Sequence, residues 1–307
     1  MNKLNFLVSL ITEENDYQVE QAKAAEQTAQ RLGATVRIIY AASDPINQSQ
    51  QLLSVVQASG NHPHGIIVEP AGGTAFPHVA RAALQTGIAW AVINREADYI
   101  PEMRRTAKVP VFGVTSNHLE VGRIQGRQVG ALVPKGGTVI YIQGPTTAAA
   151  AKYRAVGIEQ TKPANVKFVH FKGNWTAESA YKTMSSWMQL STSKKTPIDM
   201  ICAQNDDMAM GARKAIQEHA DAEVRDKWLH LPFTGCDGLP STGQAYVRSG
   251  LLTATVVIPP GTGTAMELMA EGLRTGRQPT ELLLTTPTSV PAIEDLAAAT
   301  RGLIRVG

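Results

Sequence analysis

Short apolar runs rich in Val and Ile alternate along the chain with longer segments whose apolar residues recur at helical spacing. The runs predict strands at 4–10, 35–41, 65–69, 90–94, 110–114, 137–142, 166–171, 198–203, 231–235 and 252–257. Between them the period predicts helices at 17–32, 46–59, 74–86, 117–131, 147–161, 176–190, 206–219, 239–248 and 261–275. The strands are near-continuous hydrophobic segments rather than alternating ones, which is how parallel strands buried on both faces read. Regular strand–helix alternation then predicts an α/β fold of the doubly wound, parallel-sheet kind.

The pattern recurs. "AEQTAQRLGATVRIIYAAS" precedes a helix and "HGIIVEPAGGTAFPHVARAA"; later "IEQTKPANVKFVHFKGN" precedes a helix and "IDMICAQNDDMAMGARKAI". Helix, strand, helix, strand and helix follow one another with similar lengths in both places, so two similar α/β lobes are expected. The segment 278–291, "QPTELLLTTPTSVP", is the candidate for a late crossover between them.

Length agrees with two lobes, because 307 residues exceed what one hydrophobic core usually organises. With 43% hydrophobic and 18% charged residues the chain can bury a sizeable core. The net charge is only +3, and Lys and Arg are scattered, so no nucleic-acid footprint is expected. Cys202 and Cys236 sit in strand-like stretches and read as small buried hydrophobes. The apolar run Phe6–Ile11 is too short for the core of a signal peptide and reads as a first strand. The protein is expected either to stay in the cytosol or to have lost a leader.

Enzyme signatures are missing from the sequence. There is no G-x-x-x-x-G-K-[ST] phosphate loop and no G-x-S-x-G nucleophile elbow. "PGTGTAM" at 260–266 reads as a helix start, and His62 and His64 in "NHPHG" read as a turn entering a strand rather than as metal ligands. No cofactor and no metal are expected.

The candidate chemistry lies at strand ends. In open α/β sheets ligands bind beyond the carboxyl ends of the strands. Those ends offer Asn15 and Tyr17, Glu69, Asn94 and Arg95, Ser116, Trp175, Asn205 and Asp237, with Arg154 on the helix after 142. Amides, carboxylates, guanidinium forks and aromatic rings suit a polyhydroxylated ligand. Each sugar hydroxyl both donates and accepts, and flat rings cover its C–H faces. Taken singly, each residue has a plainer reading. Asn205 and Asp237 can cap helices for about 1 kcal/mol each, Glu69 can cap the helix opened by "AGGTAF", the arginines can pair at the surface, and the aromatics can pack. Their joint placement at strand ends of both halves favours a binding site.

"ICAQNDDMAMGARKAI", "FTGCDGLPSTGQAYVRSGLLTATV", "AVINREAD" and "VIYIQGPTTAAAAKYRAVGIEQ" resemble the type I periplasmic binding proteins for sugars, the ribose-binding proteins above all, over essentially the whole chain. The same fold forms the ligand-sensing core of lac-repressor-type regulators. The resemblance implies two lobes joined by a three-strand hinge with a ligand cleft between them, residues 1–115 with 258–285 forming one lobe and 116–257 with 286–307 the other. It implies that Asn15, Tyr17, Asn94, Arg95, Ser116, Arg154, Trp175, Asn205 and Asp237 contact the ligand, with Asn205 turned into the cleft and Asp206 capping the following helix. It also implies capture of a monosaccharide or related polyol by closure of the lobes, delivery to an ABC permease or membrane sensor, and a periplasmic location. The alternative is a cytosolic sensing domain; the first strand begins at Leu4, so a DNA-binding headpiece is not expected. Three positions depart from the ribose binders: Asn94 stands for their Asp, Glu69 for their Asn and Ile258 for their Gln. Ribose itself is therefore not implied.

Overall fold

The computed structural model describes residues 3–72, 76–191, 193 and 196–306, and side chains as far as residue 300. In chain order its elements begin β1 (Asn5–Leu10), α1 (Asp16–Leu32), β2 (Thr35–Tyr40), α2 (Pro45–Gln57), β3 (Gly65–Val68), α3 (Pro77–Gln85), β4 (Ala89–Ile93), α4 (Ile100–Arg104) and β5 (Val111–Ser116). They continue with α5 (His118–Leu132), β6 (Gly137–Gln143), α6 (Ala149–Thr161), β7 (Val166–Lys172), α7 (Ala177–Met188), β8 (Met200–Ala203), α8 (Asp206–Gln217), α9 (Ala222–Leu229) and β9 (Phe233–Asp237). The last are α10 (Gly243–Arg248), β10 (Ala254–Val257), α11 (Gly261–Thr275), β11 (Leu282–Thr285), β12 (Thr288–Val290) and α12 (Ile293–Val306).

These elements form two compact units, Met1–Ser116 with Pro259–Thr285, and Asn117–Ile258 with Thr286–Gly307. The chain thus passes from one unit to the other after residues 116, 258 and 285; the first two passages fall one residue beyond the lobe limits drawn from the sequence.

The first unit holds a six-stranded sheet in the order β11-β5-β4-β3-β1-β2, parallel throughout. Strand interiors are apolar because helices cover both faces: Phe6, Val8, Ile67, Ala91 and Phe112 pack with α1 and α11 on one side, and Leu7, Ile66, Val68, Trp90 and Val92 with α2 and α3 on the other. Gly65 allows α11 this close. A Cβ there would lie 2.0 Å from Met269 Sδ.

The second unit repeats the plan, with the order β12-β10-β9-β8-β6-β7 and only β12 antiparallel to its neighbour. Helices α5 and α6 meet backbone to backbone through Gly122 and Gly157. A Cβ on Gly122 would lie 2.1 Å from Arg154 O, and one on Gly157 2.1 Å from Leu119 O. In both sheets the strand order reverses beside the unit's first strand, at β1/β3 and at β6/β8, so helices leave the sheet in opposite directions and open a crevice at the carboxyl ends.

All ten strands read from the hydrophobic runs are present, within two residues at each end. The helix expected at 239–248 begins only at Gly243, because Asp237 and Gly238 have positive φ and Pro240 disfavours a helical residue before it. The helix expected at 74–86 runs from Pro77 to Gln85; positions 74 and 75 lie outside the described residues. The segment 278–291 contains two short strands, one for each sheet. Helices α4, α9 and α12 had no separate expectation from the pattern.

Because α6 carries Arg154, its seat on α5 matters for chemistry as well as stability. Gly157→Ala is expected to force the two helices apart and to cost about 1–3 kcal/mol, the range for overpacking; a lowered Tm in thermal unfolding checks it.

Candidate functional site

Parallel packing admits few polar groups to the strand interiors, Ser9, Thr234 and Thr255 among them, so most collect where strands end and helices begin. In the first unit they meet beside the β1/β3 switch point. Asn15 caps α1, its Oδ1 accepting from Tyr17 N at 3.0 Å and Gln18 N at 3.3 Å. Glu69 follows β3 directly and is only 6% exposed. Its N–H donates to Ser9 O at 2.9 Å and its carbonyl accepts from Gln48 Nε2 at 2.9 Å, which fixes its Cα. Burial pushes the Glu69 carboxyl above its ordinary value, against hydrogen bonds from the Gln18 and Asn94 side chains and the nearby Arg95 charge. Arg95 itself is anchored by Nε to Pro70 O at 3.0 Å.

Two further candidates of this unit belong to other bonds. The Tyr17 hydroxyl donates to Pro259 O at 3.4 Å, and Ser116 Oγ lies 3.2 Å from Thr285 Oγ1. Each therefore sits against a segment where the chain passes between units.

The second unit joins its four candidates in one network. Arg154, 5% exposed, donates through Nη1 to Gln204 O, and its Nη2 lies 3.9 Å from Asp237 Oδ1. Its guanidinium stands 5.3 Å from the centre of the Trp175 ring. Asn205 donates from Nδ2 to Trp175 O at 2.9 Å. One face of Trp175 is thus turned to the arginine, and its edge abuts Gly144, where a Cβ would lie 2.3 Å from Cζ2.

The cap expected of Asp206 is made by Asn205 instead, and Asp206 takes neither of the two expected roles. Asn205 is the N-cap of α8, its Oδ1 accepting from Met208 N at 3.0 Å. Asp206 points under the sheet instead, 3% exposed, where Oδ2 accepts from Gly238 N at 2.8 Å and Oδ1 from Thr255 Oγ1 at 2.7 Å. Both the cap and the first helical residue are side chains that accept hydrogen bonds, so the local sequence fits either assignment; the close approach of β9 and β10 decides it. Burial and the neighbouring Asp237 charge drive the Asp206 carboxyl well above its ordinary value. Asp237 does not cap α10, whose N-cap position is Thr242, and Glu69 does not cap α3, whose N-cap position is Phe76.

Three candidates, Asn94 (φ 58°), Trp175 (φ 63°) and Asp237 (φ 103°), lie in the left-handed region that side chains rarely occupy. They are half of the six such non-glycine residues among those described. Strain of this kind clusters at binding sites, where surrounding structure holds it in place.

Sequence reasoning missed the buried glutamines that hold these groups. Gln18 accepts from Ile11 N at 3.0 Å; Gln48 also reaches Ser9 Oγ and Ala71 N; Gln204 accepts from Gly144 N at 2.9 Å and donates to Tyr141 Oη at 2.7 Å and Ala151 O at 3.0 Å. A glutamine at an apolar helix position, or one ending a strand, was the available signal. Cys202 and Cys236 are buried free thiols, Cys202 pushed up to about 12 by burial. Among the described residues no cluster of His, Cys, Asp and Glu could hold a metal ion, and no helix is long and apolar enough to cross a membrane.

Two lobes of parallel sheet with polar groups at their carboxyl ends define a class of ligand-binding proteins. The periplasmic binding protein domain profile matches residues 6–276, so this chain belongs to that family. It is 25% identical over 256 residues to the ribose import binding protein of Salmonella typhimurium, covering 83% of this chain and 79% of the relative. It is 27% identical over 279 residues to the D-allose-binding periplasmic protein of Escherichia coli, covering 89% and 85%. A periplasmic solute-binding protein of an ABC transporter from Actinobacillus succinogenes, solved with bound D-allose, shares the fold with a TM-score of 0.80 at 20% identity, over 96% of this chain and all of that one.

Asp206 ties α8 to β9 and β10, so its loss is a structural test. Asp206→Ala leaves the Gly238 N–H and the Thr255 hydroxyl without their acceptor and is expected to cost about 1–3 kcal/mol per group. Since the folded state raises its pKa, the wild type loses stability as pH climbs from 3.8 through that raised value. Chemical denaturation across that range is expected to show a flatter pH profile for Asp206→Asn.

Proposed function

We propose that this protein is a solute-binding protein that captures a monosaccharide or related polyol with the strand-end groups of both units and passes it to an ABC permease or a membrane sensor. The observation that carries the reading is the pairing of buried Arg154 with partly buried Asp237 and an aromatic ring in one unit, and of Glu69, Asn94 and Arg95 in the other. Charged groups that are desolvated but still supplied with partners bind hydroxyls strongly and reject analogues that lack one. The site residues proposed are Asn15, Tyr17, Glu69, Asn94, Arg95, Ser116, Arg154, Trp175, Asn205 and Asp237. Asn15 and Asn205 use their amide oxygens as helix caps, so their amide nitrogens are the atoms proposed to reach the ligand or orient its neighbours.

Family membership and relatives named for ribose and D-allose support binding over chemistry. The role proposed is capture without turnover, outside the cytoplasmic membrane. The departures at Asn94 and Glu69 from the ribose-binder pattern argue for a specificity of its own.

Thermal unfolding against pentoses, hexoses, polyols, sugar acids and amino sugars tests this directly. A ligand at 100 times its Kd adds about 2.7 kcal/mol, a rise of several degrees in Tm. At least one sugar or polyol is expected to give it, and silence across the panel would refute the reading. With that ligand, Arg154→Ala and Asp237→Ala are each expected to weaken binding more than tenfold in calorimetry while circular dichroism stays unchanged.

A further inference from the structure

The Glu69 carboxyl combines three features that a purely structural acid would not need. It lies at the carboxyl end of β3, beside the strand-order reversal of its own sheet. Its backbone is locked on both sides, so the side chain has little freedom to turn away. Gln18 and Asn94 donate to the carboxyl, yet Oε2 is buried and no donor among the described residues reaches it. A buried carboxylate oxygen left without a donor is costly.

The charged group that faces this carboxyl is the Arg95 guanidinium, from the end of β4; α1 contributes the neutral Gln18 and β4 the neutral Asn94, and α2 contributes Gln48, which serves the carbonyl. Arg95 already supplies the positive countercharge, and its field opposes a second cation at Oε2. The missing partner is therefore a neutral donor.

We propose that Glu69 Oε2 is the specificity-determining acceptor for one hydroxyl of a neutral sugar or polyol, and that binding this hydroxyl expels a proton from Glu69. The inference rests on the carbohydrate reading above. In the free protein burial favours the protonated acid, and a hydroxyl donating to Oε2 favours the carboxylate. The proton leaves to solvent, and the O–H···O⁻ bond takes its place. Affinity then rises with pH between the carboxyl's pKa in the complex and its raised value in the free protein, and levels off above the latter.

The test uses the neutral sugar or polyol that gives the largest thermal shift, its deoxy analogues, and its amino analogue. Calorimetry at about pH 5.5 in acetate and in MES, which both buffer there and differ in ionisation enthalpy, measures the protons released by the wild type. Expected are proton release near the lower end of the pH range, about tenfold or greater loss of affinity in Glu69→Gln at neutral pH, and loss of the pH dependence in that variant. In Glu69→Gln the amide oxygen can turn to Gln18 and Asn94, which places an NH2 where Oε2 stood. One deoxy analogue is expected to bind wild type and variant alike, which identifies the hydroxyl. Unchanged affinity and pH profile in Glu69→Gln, tighter binding of the amino analogue, or binding with no proton release overturns the proposal while leaving the carbohydrate reading standing. Should Glu69→Gln not fold, the two-buffer measurement on the wild type decides alone. If the wild type binds no sugar or polyol at all, the carbohydrate reading fails first, and this inference with it.

Discussion

A parallel sheet covered on both faces by helices admits few polar side chains away from its ends. The rest of this structure follows from that constraint. Residues in the middle of β3, β4, β6 and β8 are wholly buried and apolar. The same chain needs acceptors at every helix start, because the first N–H groups of a helix have no partner within it. Polar residues are therefore driven to the carboxyl ends of the strands by two independent requirements, and a binding site arises from what they leave unused. Asn205 shows the overlap: one amide holds a helix start with its oxygen and the Trp175 carbonyl with its nitrogen.

What distinguishes a site from ordinary capping is the second tier of bonds. Buried glutamines act as struts: Gln48 spans β1, Glu69 and Ala71, and Gln204 spans Gly144, Tyr141 and the start of α6. A long neutral amide can donate and accept at once without the desolvation cost of a charge, so it can cross an apolar layer. Asp206 does the same task with a carboxyl that burial and Asp237 hold well above its ordinary value. Asn205 holds the Trp175 carbonyl and Asp206 the Gly238 N–H, so these bonds flank Trp175 and Asp237, whose backbone lies in the left-handed region.

The family profile places the chain among periplasmic binding proteins without naming residues. The geometry says which atoms are already used and which remain. One Glu69 oxygen has no donor among the described residues, while Arg95 is tied to Pro70 and Arg154 to Gln204 and Asp237. A search for specificity in this protein therefore begins at Glu69.

The sequence by itself determined the strands and their parallel, two-sided burial, because continuous Val- and Ile-rich runs carry that information locally. It also determined that polar groups gather at strand ends, and that two similar units share the chain. Short elements such as α4, α9 and β12 stayed hidden, since a turn or two of helix or three strand residues carry too little period to read. The structure alone decided which of two adjacent acceptors caps α8 and which dives beneath the sheet. Asn205 and Asp206 can each accept from a helix N–H, and only the nearness of Gly238 and Thr255, 32 and 49 residues further along the chain, gives the aspartate its partners. It alone decided that Gln18, Gln48 and Gln204 support the site, because a glutamine's partners lie on other elements and no local pattern names them.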